Sequence, residues 1–259
     1  MKTVQEIALA LQGYDPGSMS VGEVELFLHQ LAPGAVHLQT EVLPVAQALD
    51  RIVASDVISP LSVPPHDNSA MDGYAFSSHE LSQAHDMQLT CVGTALAGPV
   101  WQGQVGPGEC LKIMTGAVMP AGLDTVIPLE FTRLNGAVVS FSAPSVRAGD
   151  NRRLCGEDLQ QGQVALAQGA RLDPASLGLL ASLGIPSVAV YRRLRVAYFS
   201  TGSEILSLGE VPRPGAVYDS NRYTVMGMLT RLGCEMIDLG VVPDDPAQLR
   251  AAFTQAASR

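Results

Sequence analysis

The sequence predicts a mixed α/β protein of more than one domain, and three observations carry that prediction. The chain has 259 residues, a length that argues for about two domains. Between roughly residues 86 and 145, short apolar runs are separated by Gly/Pro turns at modest spacing, the mark of a small β-rich barrel or sandwich. From Arg195 onward, apolar strand-like runs alternate with capped helices, the texture of a parallel, doubly wound sheet.

Taken in order, the elements have identifiable causes. Ser20-Val21-Gly22-Glu23 is a capping box. Val24, Phe27, Leu28 and Leu31 then recur at i, i+3, i+4 and i+7, so residues 20–32 read as an amphipathic helix that Pro33-Gly34 ends. Pro44 to Asp50 reads as a second short helix, and Val53 to Ile58 alternates like a strand. Leu89 to Val92, Cys110 to Met114, Thr125 to Leu129 and Val138 to Phe141 are the strands of the β-rich module. Asp173-Pro174 is an N-cap followed by proline at the first helical position, and Gly184-Ile185-Pro186 stops the helix it starts. Arg195 to Ser200 is a strand of the fully buried type. Ser220 to Leu232 is a helix with Gly233 just past its end, Cys234 to Val242 is the next strand, and Asp245-Pro246 begins a helix running toward Ser258. Such a fragment has one strand pair and no third strand, so the sequence predicts a domain that continues past residue 259.

Composition narrows the function. With 47% hydrophobic and 16% charged residues the chain is a folded one. A net charge of −9 argues against nucleic acid or an anionic membrane as the main partner. Only Lys2 and Lys112 are lysines, and eight of the arginines fall between Arg133 and Arg195. Guanidinium forks suit phosphate or carboxylate, although a high-GC codon bias enriches arginine equally well. Cys91, Cys110, Cys155 and Cys234 lie far apart without a CxxC, so neither a zinc knuckle nor a disulfide framework is indicated and a reducing cytosol fits. The apolar patch Ile7 to Leu11 is too short for a signal peptide. The run Leu177 to Tyr191 is broken by Pro186 and too short to span a bilayer. These features predict a soluble, cytoplasmic chain.

The polar segments are where chemistry is expected. Asp67-Asn68-Ser69-Ala70-Met71-Asp72-Gly73-Tyr74 follows a double proline and packs two carboxylates, an amide, a hydroxyl and a glycine into eight positions. It reads either as an Asx-rich turn or as a loop aiming its carboxylates at a ligand. An EF-hand fails, because Met71, Asp72 and Ser78 would occupy its fifth, sixth and twelfth positions. In a parallel sheet, ligands bind beyond the carboxyl ends of strands. There this chain carries Thr201-Gly202-Ser203-Glu204 and Pro243-Asp244-Asp245, neither of them a P-loop or a GxGxxG. Glu204 and Asp244 make a carboxylate pair suited to Mg²⁺ with phosphates completing its shell. Equally, Asp245 is an N-cap and Asp244 ordinary turn chemistry. Thr115-Gly116 ends a strand where backbone amides can meet an anion. Arg152-Arg153-Leu154-Cys155-Gly156-Glu157-Asp158 sets two arginines beside two acids, and Cys155 without a placed base reads as packing. The five histidines show no triad or metal spacing.

These segments together resemble the molybdopterin molybdenumtransferase family, which includes the E domain of gephyrin. The matches are DNSAMDGY at 67–74, IMTGAVMP at 113–120, GED at 156–158, LASLGI at 180–185, STGSE at 200–204, YDSN at 218–221 and LGVVPDDP at 239–246. The resemblance implies a small β-rich, barrel-like module (59–145) inserted in an elongated α+β domain (1–58 and 146–186). An incomplete doubly wound α/β, molybdopterin-binding-like domain (187–259) follows. It implies insertion of molybdate into adenylylated molybdopterin with release of AMP, Mg²⁺ or a similar divalent cation being present, in a homodimer with its cleft at the subunit contact. Carried over, the catalytic groups are Asp72, Thr115, Asp158, Glu204 and Asp244, with Glu204 and Asp244 on the metal. The substrate-binding groups are Asp67, Ser69, Arg153, Thr201, Gly202, Ser220 and Asn221. The chain departs from the family in three ways: Ser203 replaces an acid, Leu154-Cys155 interrupts a run of arginines, and the GGVSxG, KPGKP-like and GLPGNP segments are expected beyond residue 259. Two other readings stand beside the enzyme: a non-catalytic dimerising scaffold, and a carrier that binds molybdopterin without inserting metal.

Overall fold

A computed structural model describes residues 19–35, 39–81 and 86–258. Along the chain run α1 (Val21–Ala35), β1 (Thr40–Pro44), β2 (Val57–Ile58), β3 (Asn68–Ser69), β4 (Gly73–Phe76), β5 (Asp86–Ala95), β6 (Glu109–Ile113) and β7 (Thr125–Pro128). Then come β8 (Thr132–Asn135), β9 (Val138–Ser142), β10 (Arg152–Arg153), β11 (Val164–Leu166), α2 (Pro174–Ser182), β12 (Ser187–Tyr191) and β13 (Arg195–Thr201). Last are β14 (Ile205–Leu206), β15 (Val217–Tyr218), α3 (Ser220–Arg231), β16 (Glu235–Val242) and α4 (Pro246–Ala257). The chain divides into two compact units: Asp56–Gln168 with Ala175–Pro186, and the remainder, up to Ser55, Gly169–Pro174 and from Ser187 on.

The first of these units is built on a six-stranded sheet of order β7-β4-β6-β5-β9-β8, curled into a half-barrel. Every pair is antiparallel except β5–β6. Alternate side chains of the central strands feed two cores. Tyr74, Phe76, Cys110, Ile127, Val139 and Phe141 share one; Ala75, Leu111, Ile113 and Val126 share the other. Burial on both faces is why β4 and β7 read as unbroken apolar runs rather than as alternation. Gly73 is required by this closeness: a Cβ there would overlap the carbonyl oxygen of Ile127 on the neighbouring strand. Helix α2 ends with Ile185 N–H donating to Leu180 O and Gly184 N–H to Ala181 O, Gly184 having φ 69°, the glycine stop expected from the sequence.

The second unit holds the antiparallel pair β1–β12, with Thr40 opposite Tyr191 and Pro44 opposite Ser187. Buried Arg51 donates to Glu41 and to the Tyr191 carbonyl. It also holds the parallel pair β13–β16, against which α3 and α4 pack, with Phe199 and Phe253 edge to face at 5.1 Å. Helix α3 is capped at Asp219 and stopped at Gly233, φ 74°.

Three expectations need correction. Pro44 to Asp50 holds a single 3-10 turn at Val45–Gln47, because Pro44 is the last residue of a strand. Val53 to Ile58 is an isolated bridge at Val53 and the two-residue strand β2, because the chain changes partner within it, from Val190 to Leu166. Helix α1 runs through Pro33 to Ala35; proline's fixed φ is itself helical, and it forfeits one hydrogen bond near the end rather than the whole turn. The capping box is present, Ser20 N–H and Oγ both donating to Glu23 Oε2 at 2.7 Å. The patch Ile7 to Leu11 lies outside the described residues.

Candidate functional site

In the half-barrel unit, three polar segments distant in the chain are tied together. The carboxylate of Asp72 leads directly into β4. Its Oδ1 accepts from Thr115 N–H at 2.8 Å and from Thr115 Oγ1 at 2.7 Å. Those two bonds, backbone first, hold the Asp72 carboxyl below the usual aspartate range, so it is a fixed anion at neutral pH. Gly116, at φ 79°, lets the strand-end loop turn back so that its N–H reaches Ser69 O at 2.8 Å. Ser69 is buried, and its hydroxyl donates to Met71 O at 2.6 Å, folding the motif on itself.

The third segment enters through β10, which pairs with β3: Arg152 lies opposite Ser69 and Arg153 opposite Asn68. Asp67 Oδ1 accepts from Cys155 N–H at 2.8 Å, and its Oδ2 lies 3.4 Å from Arg152 Nε. Arg153 is engaged twice, by Glu157 and by Asp158 Oδ2 at 2.6 Å. The pairing with Glu157, then Asp158, raises the Arg153 pKa, and Arg153 in turn depresses that of Glu157. Asp67, Asp72, Thr115, Arg153 and Asp158 thus belong to one region of this unit, with Ser69 buried beneath it. Arg152 and Glu157 are named from the sequence within the Arg-Arg-x-x-x-Glu-Asp string, but neither is carried into the candidate site residues.

In the other unit, the parallel register sets Thr201 opposite Val242, so β13 and β16 end level. The level ending depends on one inserted residue. Partners shift from Tyr198↔Asp238 to Ser200↔Val241, and Gly240 takes up the bulge at φ 78° while donating to Asp238 Oδ1 at 2.9 Å. Asp238 is also ion-paired to Arg222 of α3. Burial raises the Asp238 pKa, but the bonds from Arg222 and Gly240 outweigh it and the net shift is downward.

From this common edge leave the segments carrying Glu204 and Asp244. The Glu204 carboxylate folds back over Gly202, where a Cβ would stand 2.7 Å from Oε2; at φ 141° this position takes only glycine without strain. Asp245 is the N-cap of α4, accepting from Ala247 and Gln248 N–H, which leaves Asp244 exposed beside it. Ser220 and Asn221 lie exposed in the first turn of α3. The residue between strand and helix that sequence reasoning missed is Asp219. Only 5% exposed, it accepts from Ser200 Oγ at 2.6 Å and from Arg222 N–H at 3.1 Å. An aspartate directly before a helix-forming Ser-Asn was its legible signal.

Among the described residues no group of three or more His, Cys, Asp or Glu side chains could hold a metal ion. Glu204 and Asp244 are hard oxygen donors of the type Mg²⁺ takes, commonly one or two carboxylates with phosphates and water completing its shell. No helix among the described residues is long and apolar enough to cross a membrane.

Comparison with known proteins matches these two groups of segments. Residues 19–184 match the family model described as MoeA N-terminal region (domain I and II), and residues 197–259 match a probable molybdopterin binding domain. The chain is 44% identical over 223 residues to a molybdopterin molybdenumtransferase of Haemophilus influenzae, covering 85% of this chain and 54% of that protein. With a namesake from Synechococcus elongatus it shares 35% identity, covering 90% of this chain and 58% of that one. It therefore spans little more than half the length of these relatives. A crystal structure of the molybdopterin biosynthesis moeA protein of Pyrococcus horikoshii superimposes with a TM-score of 0.78 at 30% identity, over 85% of this chain and 59% of that one. An arrangement in which the motif segments stand together in each unit, matched along most of the chain by one set of relatives, identifies the protein as a member of the MoeA family of molybdopterin molybdenumtransferases.

Proposed function

We propose that this chain acts in molybdenum cofactor biosynthesis, taking adenylylated molybdopterin and molybdate as substrates and releasing AMP as molybdenum enters the dithiolene. The observation that carries the reading is the level ending of β13 and β16, which sends Glu204 and Asp244 out from one edge of the domain matched as molybdopterin-binding. Beyond strand ends of a parallel sheet is where a phosphorylated ligand is held. In this reading Glu204 and Asp244 hold a divalent cation, which supplies charge neutralisation at the pyrophosphate. Thr201 and the Gly202 backbone approach the phosphates, and Ser220 and Asn221 offer polar contacts at the start of α3. Asp72, kept ionised by Thr115, orients the pterin through accepted hydrogen bonds rather than by taking protons. Arg152 and Arg153 supply the positive charge that an incoming molybdate needs, each restrained by a neighbouring acid. The same reading includes a homodimer and a cytoplasmic setting, which rest on the family resemblance and the composition.

The test is AMP release by the complete gene product that carries this sequence, supplied with adenylylated molybdopterin, molybdate and Mg²⁺. Release is expected, falling by about 100-fold or more in Glu204→Gln and in Asp72→Asn, each of which removes a charge fixed at the reacting ligand. Wild-type release in both variants overturns the site. Binding of the pterin without any AMP release points to the carrier reading instead.

A further inference from the structure

We propose that Cys91 and Cys110 are a disulfide site, joining across β5 and β6 when the protein meets a peroxide. The two residues are direct partners in the one parallel pair of the half-barrel sheet, so their side chains leave on the same face. Neighbouring strands lie about 4.8 Å apart, inside the window of about 4.4–6.8 Å between the Cα atoms of bonded cysteines. The thiols are near enough to influence one another, Cys91 helping to raise the Cys110 pKa, and Cys91 Sγ donates to Gly93 O at 3.3 Å. The ladder breaks immediately after Cys91, where the register shifts before Thr94. The backbone there is not held by regular pairing and can yield the small displacement that closing an S–S bond requires.

The two sulfurs differ in access. Cys110 is fully buried beside Tyr74 and Phe76, and burial foremost, then Cys91, pushes its thiol up to about 12. It stays protonated and is not the first to react. Cys91 is half-buried at the edge of the same core. Peroxide transfers one oxygen to the Cys91 sulfur, giving a sulfenic acid and one water. The Cys110 sulfur then attacks the Cys91 sulfur; the S–S bond forms, the S–O bond breaks, and hydroxide leaves with the Cys110 proton as a second water. Two thiols give up two electrons and one peroxide becomes two waters. Strand β6 runs directly into Met114-Thr115, so the bond would staple the strand that presents Thr115 to its neighbour. The proposal does not depend on the function assigned above.

The folded chain is treated with hydrogen peroxide, its remaining thiols are alkylated, and it is cut after glutamate without reductant; cleavage at Glu109 separates the two cysteines. Mass spectrometry is expected to find a peptide linking Cys91 to Cys110. Two of the four thiols should escape alkylation even after unfolding, and dithiothreitol should restore both. In Cys91→Ala the linked peptide is absent and Cys110 stays reduced. The proposal is overturned if Cys155 oxidises while Cys91 and Cys110 alkylate in full, if the link appears only in urea, or if Cys110 oxidises as readily in Cys91→Ala as in the parent.

Discussion

Replacing Gly73 with alanine adds one methyl group at a position that has no room for it. The new Cβ would overlap Ile127 O and stand 2.8 Å from Val126 Cγ1, both on β7. The obstacle is backbone, so no side-chain rotation relieves it, and β4 and β7 must part locally. Overpacking of a well-filled core costs about 1–3 kcal/mol. Loosening the adjacent bond from Leu129 N–H to Asp72 O, 3.1 Å long, adds about 1 kcal/mol. The expected total is about 3 kcal/mol. With a urea slope of about 2 kcal/mol per molar for a unit of this size, the midpoint should fall by about 1.5 M. Trp101 is the chain's single tryptophan and belongs to the same compact unit, so its fluorescence reports this transition selectively. Gly178→Ala is the control. Nothing lies within 4 Å of a Cβ there, φ is ordinary, and the position is inside α2, so a gain of about 0.5–1 kcal/mol is expected. A Gly73→Ala midpoint within about 0.3 M of the parent refutes the steric argument.

Two further outcomes follow from the same geometry. Asp219→Ala removes the cap of α3 and takes from the Ser200 hydroxyl its carboxylate acceptor, leaving it the Tyr198 hydroxyl at 3.1 Å, so a loss of about 1–2 kcal/mol is expected in urea unfolding followed by helical circular dichroism; an unchanged midpoint contradicts the role given to Asp219. Asp72 should titrate below a free aspartate in carboxyl-detected NMR. Because its folded-state pKa is depressed, its contribution to stability is complete above about pH 4 and is lost as pH falls through the depressed value. Thr115→Val removes only the hydroxyl donor and should return the titration part of the way, the backbone bond remaining; no movement between parent and variant argues against the hydroxyl contact.

What could be read from the sequence depended on how locally each element is determined. The capping box, the glycine stops and the Asp245-Pro246 helix start are settled by neighbours within four residues, and these stand as expected. Strands β1 and β12 were passed over because each makes sense only as the other's partner across most of the chain. Strand β8 escaped because it is a short, exposed edge strand with no apolar run, recognisable only by the Asn135-Gly136 turn that joins it to β9. At the site, the residue types were legible while their pairings were not. No spacing says that Thr115 serves Asp72 or that Cys155 N–H serves Asp67, since these are contacts across 43 and 88 residues. Asp219 was visible as part of a motif but not as a buried anchor, because burial of a carboxylate depends on Ser200, far from it in sequence.

The pairing of β1 with β12 has a consequence during synthesis. Roughly 140 residues separate the two strands, and at about 5–20 residues per second β1 leaves the ribosome on the order of ten seconds before its partner exists. Throughout that interval it is a nascent strand whose hydrogen-bonding groups are unpaired, open to wrong neighbours or to a chaperone. All six strands of the half-barrel sheet are synthesised within that wait, so its ladder can close before β1 has a partner to pair with.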